Sequence, residues 1–137
     1  METLPFWGKY YIGIPFVSGG RSPETGLDCY GLFRLVQNNH YGKHLPLLAD
    51  RYSDACDHRS INNIYRKEAP LIAGDRLPEP VPGCAVVMRY GGMCAHLGVY
   101  LGCGYVLHTV RGTGSILEAV TSPGIRSRIE GYYSVRD

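Results

Sequence analysis

The sequence predicts an α+β fold in which N-terminal helices pack on a C-terminal antiparallel β-sheet. Two observations carry that expectation. An apolar stripe at helical spacing follows Asp28, and beyond Pro82-Gly83 the chain becomes a series of short β-branched and aromatic runs separated by glycines. Helices first and strands second is the order expected when helices cover one face of a sheet. The 137 residues suffice to bury a core without metals or disulfides, so one domain over residues 1–137 is expected.

Residues 1 to 27 read as an irregular lead-in. Pro5, Gly8, Gly13, Pro15, Gly19-Gly20, Pro23 and Gly26 interrupt it, and only Tyr10 to Val17 is apolar enough to pack. A helix then begins. Asp28 is a good N-cap, Leu32, Phe33, Leu35 and Val36 form the stripe, and Asn38, Asn39 and Gly42 stop it. Leu47 to Asp57 and Ser60 to Ala69 read as two shorter helices, the second closed by Pro70. Gly74 to Gly83 reads as a proline-rich connection. Five strands are expected after it: Cys84 to Tyr90, His96 to Leu101, Tyr105 to Val110, Ser115 to Val120 and Ile129 to Val135.

Composition excludes several classes of function. A net charge of +2 arises from scattered lysines and arginines rather than a cluster that could neutralise phosphates, so nucleic acid is not an expected partner. No apolar run reaches about 18 residues, so no membrane span is expected. Met1-Glu2-Thr3-Leu4-Pro5 lacks the basic stretch and apolar run of an export leader. The five cysteines, Cys29, Cys56, Cys84, Cys94 and Cys103, are odd in number and form no Cys-x-x-Cys pair. Neither a zinc ribbon nor a full disulfide framework is indicated, and synthesis in a reducing cytosol fits best.

Cys29 directly follows the expected N-cap. A sulfur there meets the positive end of a helix, which favours thiolate over thiol, and the same backbone N–H groups can stabilise an oxyanion on an attacked carbonyl. The alternative is a small buried hydrophobe. His96 and His108 shift the balance toward chemistry, because they lie on successive strands joined by Gly102-Cys103-Gly104. With that three-residue loop, Leu101 pairs with Tyr105, Gly98 with His108 and His96 with Val110, so the imidazoles become diagonal neighbours on one face. A two-residue loop would throw His108 to the opposite face. The competing readings are satisfied core histidines or a metal site, but no Asp or Glu lies on those two strands near either His. His40, His44 and His58 fall in polar, helix-end or loop contexts and read as solvated. Asp28 has two readings, helix cap or acceptor for a charged group on a substrate, and Tyr30 either lines a cleft or packs.

Three stretches resemble the NlpC-type cell-wall peptidases: Gly26-Leu27-Asp28-Cys29-Tyr30-Gly31-Leu32, the upstream Ile14-Pro15-Phe16-Val17-Ser18-Gly19-Gly20, and Ala95-His96 through Val106-Leu107-His108. The resemblance covers nearly the whole chain in the family's order. It implies a papain-like fold and a triad with Cys29 as nucleophile, His96 as general base and His108 as the group that orients His96. No metal or other cofactor is implied. The implied substrates are peptidoglycan stem peptides, cut commonly between D-glutamate and a diamino acid. Most members carry Ser after the nucleophile and Tyr after the upstream Pro, where this chain has Tyr30 and Phe16. An aromatic residue after the Cys, and the stretch from Arg111-Gly112-Thr113-Gly114 through Arg128-Ile129-Glu130-Gly131-Tyr132-Tyr133, resemble the branch carried by tailed phages. That branch implies synthesis in the host cytosol, tail-tip proteins as partners and action on the cell wall from outside. The competing expectations are a structural tail-tip subunit with a dispensable triad, and a thiol acyltransferase or amidase built on the same residues.

Overall fold

A computed structural model describes residues 3–47, 73–90 and 93–136. Its centre is a helix lying across a six-stranded antiparallel sheet, the papain-like α+β arrangement. The elements are a 3-10 helix at Phe6–Tyr11, β1 (Arg21–Ser22), β2 (Gly26–Leu27), α1 (Cys29–His40), β3 (Ala73–Leu77), β4 (Ala85–Tyr90), β5 (Met93–Gly102), β6 (Tyr105–Val110), β7 (Gly114–Ala119) and β8 (Ile129–Val135). Strands β4 to β7 form a meander, β8 returns to pair with β4, and β3 closes the edge, giving the order β3-β8-β4-β5-β6-β7.

Strand parity divides the core into two. Leu27, Leu32, Phe33 and Val36 pack with Val87, Val99 and Leu107 between α1 and one face of the sheet. Val86, Met88, Tyr100 and Val106 point the other way and pack with Cys84 and Ile125. The stripe of α1 is buried as expected except at Leu35, which is only half-buried.

The N-terminal lead-in has more structure than its glycines and prolines suggest. Its 3-10 helix is held from outside: Trp7 stacks on His40 with ring centroids 3.8 Å apart and planes within 4°, and the Tyr11 hydroxyl lies 2.7 Å from His40 Nε2. His40 is therefore not simply solvated. β1 and β2 pair as a short hairpin, and Phe16 bridges to Leu27 in parallel. The expected connection after Gly74 begins as a strand, because Ala73–Leu77 precedes Pro78 and can pair with β8 at the sheet edge. The expected helix Ser60 to Ala69, all but the first residue of Leu47 to Asp57, and Cys56 and His58 lie outside the described residues. Among the described residues, no helix is long and apolar enough to cross a membrane.

Candidate active site

The site begins at the start of α1. Asp28 is extended, with φ −92° and ψ −174°, and its Oδ1 accepts the Gly31 N–H at 2.8 Å. Gly31 is required there, since a Cβ would lie 2.1 Å from the Gly20 carbonyl oxygen. The same Oδ1 is 2.8 Å from Arg21 Nη1, and Oδ2 accepts the Gly19 N–H at 2.9 Å. The upstream Gly19-Gly20 segment thus wraps the helix start. Asp28 is fully buried, and the structure shows it as a cap and ion-pair partner, with the cation supplied by the chain itself. Tyr30 is also buried. Its hydroxyl donates to the Pro46 carbonyl at 2.6 Å, its ring packs near Phe33, and the Arg21 guanidinium lies 5.3 Å from its centroid. The geometry shows Tyr30 packing.

Cys29 Sγ accepts hydrogen bonds from the backbone N–H of Tyr30 and of Leu97, which places the sulfur one residue from His96 on β5. The helix end does not make it a resting thiolate. Burial and the neighbouring Asp28 carboxylate push the Cys29 thiol up to about 12, and the two N–H groups and Arg21 offset only part of that. The expectation of a thiolate in the free chain is corrected accordingly: the sulfur sits in a dry place beside a negative charge, and its proton must leave with help.

His96 and His108 meet as diagonal neighbours. His96 Nε2 lies 2.8 Å from His108 Nδ1, with the rings 75° apart, and both residues are buried. The register behind this contact is the expected one, Val99 opposite Leu107 and Tyr100 opposite Val106, but it is reached differently. The turn is two residues long, Cys103-Gly104, both left-handed at φ 55° and 80°. Gly102 pairs with Tyr105, and Leu101 is left over as a bulge. A two-residue turn alone would reverse the parity of β6, and the extra residue in β5 restores it.

One acidic group was not anticipated. His108 Nε2 lies 2.8 Å from Glu118 Oε1, and the Ser122 hydroxyl donates to Glu118 Oε2 at 2.6 Å. Glu118 sits on β7 opposite Val106, two residues along from the position facing His108. Residue 118 shares the even numbering of 106 and 108, but that puts it on their face only once the register of β7 on β6 is fixed, which the packed sheet decides. Burial holds His108 below its ordinary value against the pull of Glu118. Burial pushes Glu118 up, but the bonds from Ser122 and His108 outweigh it and hold the carboxyl below its usual range. His96, His108 and Glu118 are bonded in a line rather than converging on one point, and the described residues contain no cluster suited to a metal ion. A cavity of about 290 Å³ lined by Gln37, Tyr41, Lys43 and Cys84 belongs to the opposite end of α1.

The NlpC/P60 family model matches residues 13–133. The chain belongs to the NlpC/P60 family. Among curated proteins, this NlpC/P60 chain is 26% identical over 123 residues to the gamma-DL-glutamyl hydrolase of Bacillus subtilis (strain 168), covering 88% of the chain and 26% of that relative. It therefore spans about a quarter of that relative's length. Among solved structures, an NLP/P60 protein similar to lipoprotein from Staphylococcus aureus subsp. aureus Mu50 superposes with a TM-score of 0.65 at 21% identity, over 95% of this chain and 39% of that one. The NlpC/p60 domain of peptidoglycan hydrolase SagA gives 0.60 at 20% identity, over 93% and 91%. These likenesses support the same fold for the NlpC/P60 chain described here.

Proposed function

We propose that this NlpC/P60 domain, residues 1–137, is a cysteine endopeptidase that hydrolyses peptidoglycan stem peptides at the D-glutamyl–diamino acid bond. The observation that carries the reading is the hydrogen-bonded His96–His108 pair, with His96 directly preceding Leu97, whose backbone N–H binds the sulfur of Cys29 at a helix start. The match to a relative named as a gamma-DL-glutamyl hydrolase supports the choice of bond. Because the resting thiol is protonated, deprotonation and attack are coupled: His96 takes the Cys29 proton as sulfur bonds to the scissile carbonyl carbon. The carbonyl oxygen becomes an oxyanion, held by the backbone N–H of Cys29 at the first position of α1. Collapse breaks the C–N bond, and the imidazolium returns its proton to the departing amine. Water, deprotonated by His96, then cleaves the thioester and regenerates the thiol. His108 holds the plane of the His96 ring throughout.

The aromatic Tyr30 after the nucleophile and the C-terminal stretch support a place on a phage or prophage tail, with tail-tip proteins as partners and the bacterial wall as the site of action. The test is incubation of the purified protein with wall fragments, followed by mass spectrometry. Products cut after D-glutamate, abolished by Cys29→Ala in a folded protein, are expected. No mass change with any fragment would favour a structural tail-tip subunit, and amide or acyl-transfer products would favour an amidase or acyltransferase.

A further inference from the structure

The mechanism above requires a particular nitrogen of His96 to be basic, and nothing in the triad decides which. We propose that Glu118 is a positioning residue that sets the tautomer of both imidazoles, so that Nδ1 of His96 exchanges the proton with Cys29. This rests on the Cys29-His96-His108 reading.

A neutral imidazole has one donor and one acceptor nitrogen, and an ionised carboxylate only accepts. With Glu118 Oε1 2.8 Å away, Nε2 of His108 carries the hydrogen. His108 is 1% exposed, and its Cβ converges on Gly98 with the side chains of Val106 and Met88; in so dry a place the neutral ring is favoured, so its Nδ1 is bare and must accept. The facing atom, His96 Nε2 at 2.8 Å, must then donate, and a neutral His96 keeps its lone pair on Nδ1. Without the carboxylate the reverse chain is equally well bonded: His108 Nδ1–H donates to His96 Nε2, and His96 holds its proton on Nδ1. That arrangement has no lone pair to offer the thiol. Glu118 selects the productive direction. Its own place is fixed by the Ser122 hydroxyl at 2.6 Å, while its side chain remains 22% exposed, enough contact with water to keep it ionised. Among the described residues, Glu118 from β7 faces His108, and Asp28 and Arg21 at the start of α1 face Cys29.

The experiment combines nitrogen-15 spectra of the histidine rings with steady-state kinetics on the full chain. In the wild type, His108 should show a protonated Nε2 and a bare Nδ1. In Glu118→Ala that single pattern should give way to both tautomers. kcat should fall by about 10–100-fold, the usual cost of losing a group that orients a functional imidazole, with KM within about twofold because Glu118 does not touch substrate. Glu118→Gln, which keeps an acceptor oxygen in the same place, should restore most of kcat and serves as the folded comparison if the alanine variant does not melt cooperatively. A wild-type His108 protonated on Nδ1, or a Glu118→Ala kcat within twofold of wild type, would overturn the proposal. An active Cys29→Ala protein would instead overturn the triad, whatever the histidine spectra show.

Discussion

Arg21 Nη1 lies 2.8 Å from Asp28 Oδ1, and both side chains are nearly dry, at 10% and 0% exposure. One carboxylate therefore caps α1, fastens the Gly19-Gly20 segment and neutralises a buried guanidinium. Removing it leaves a helix start without its cap and a cation without its counterion. Asp28→Ala should destabilise the fold by about 3 kcal/mol or more, beyond the roughly 1 kcal/mol typical of a lost cap. Urea denaturation measures this, and a loss under about 1 kcal/mol would mean that Arg21 finds water.

Cysteine labelling should follow burial. Cys103 is exposed at its turn, whereas Cys29 is buried with its thiol pushed up to about 12. Iodoacetamide near neutral pH should modify Cys103 well before Cys29, as peptide mapping can show. Rapid modification of Cys29 below pH 7 would reveal a resting thiolate instead. The same shift has a stability consequence. A folded-state value raised above the ordinary 9.0 means that the unfolded chain ionises first, so stability is complete below about pH 9 and is lost as pH rises toward 12. Cys29→Ser should flatten that alkaline slope.

Gly98 is the contact point behind the two histidines. A Cβ there would meet Val106 Cγ2 at 2.7 Å, Met88 Cε at 3.2 Å and His108 Cβ at 3.3 Å. Gly98→Ala should cost about 1–3 kcal/mol as an overpacking change and push His108 from His96. The expected outcome is a fall in kcat larger than the loss of stability at assay temperature explains. Unchanged kcat would show that β5 and β6 can part without disturbing the pair.

Trp7 is the sole tryptophan of the chain and stacks on His40, so its emission reports that contact. Burial holds His40 below its ordinary 6.5. Its favourable contribution is present above pH 6.5 and is lost as pH falls through the lower folded value. Trp7 fluorescence should titrate in that acidic window, and His40→Ala should abolish the transition. A titration that survives the substitution would assign the signal to another group.

Much of the fold is legible along the chain because its causes are local. The Asp28 cap and the 32-33-36 spacing are enough to define α1, and the β-branched runs give the strands from β4 to β8 within a few residues. β3 and the 3-10 helix are not legible, since each depends on a distant partner: β8 for one, and His40 for the other. Tertiary context overrides weak local preference in both cases.

The candidate site divides the same way. Sequence alone singled out the candidate side chains, Cys29 behind a cap and His96 and His108 on one hairpin, because helix and strand periodicity act over a few residues. Tertiary structure alone decided how they are joined. The Leu101 bulge that preserves the parity of β6 depends on how two strands settle around a left-handed turn. The protonated state of Cys29 depends on what surrounds it in space. The Glu118 carboxylate reaches His108 from a third strand whose register no local pattern specifies. Desolvation and cross-strand bonding are properties of the packed molecule, and they arise only when segments far apart in the chain exclude water together.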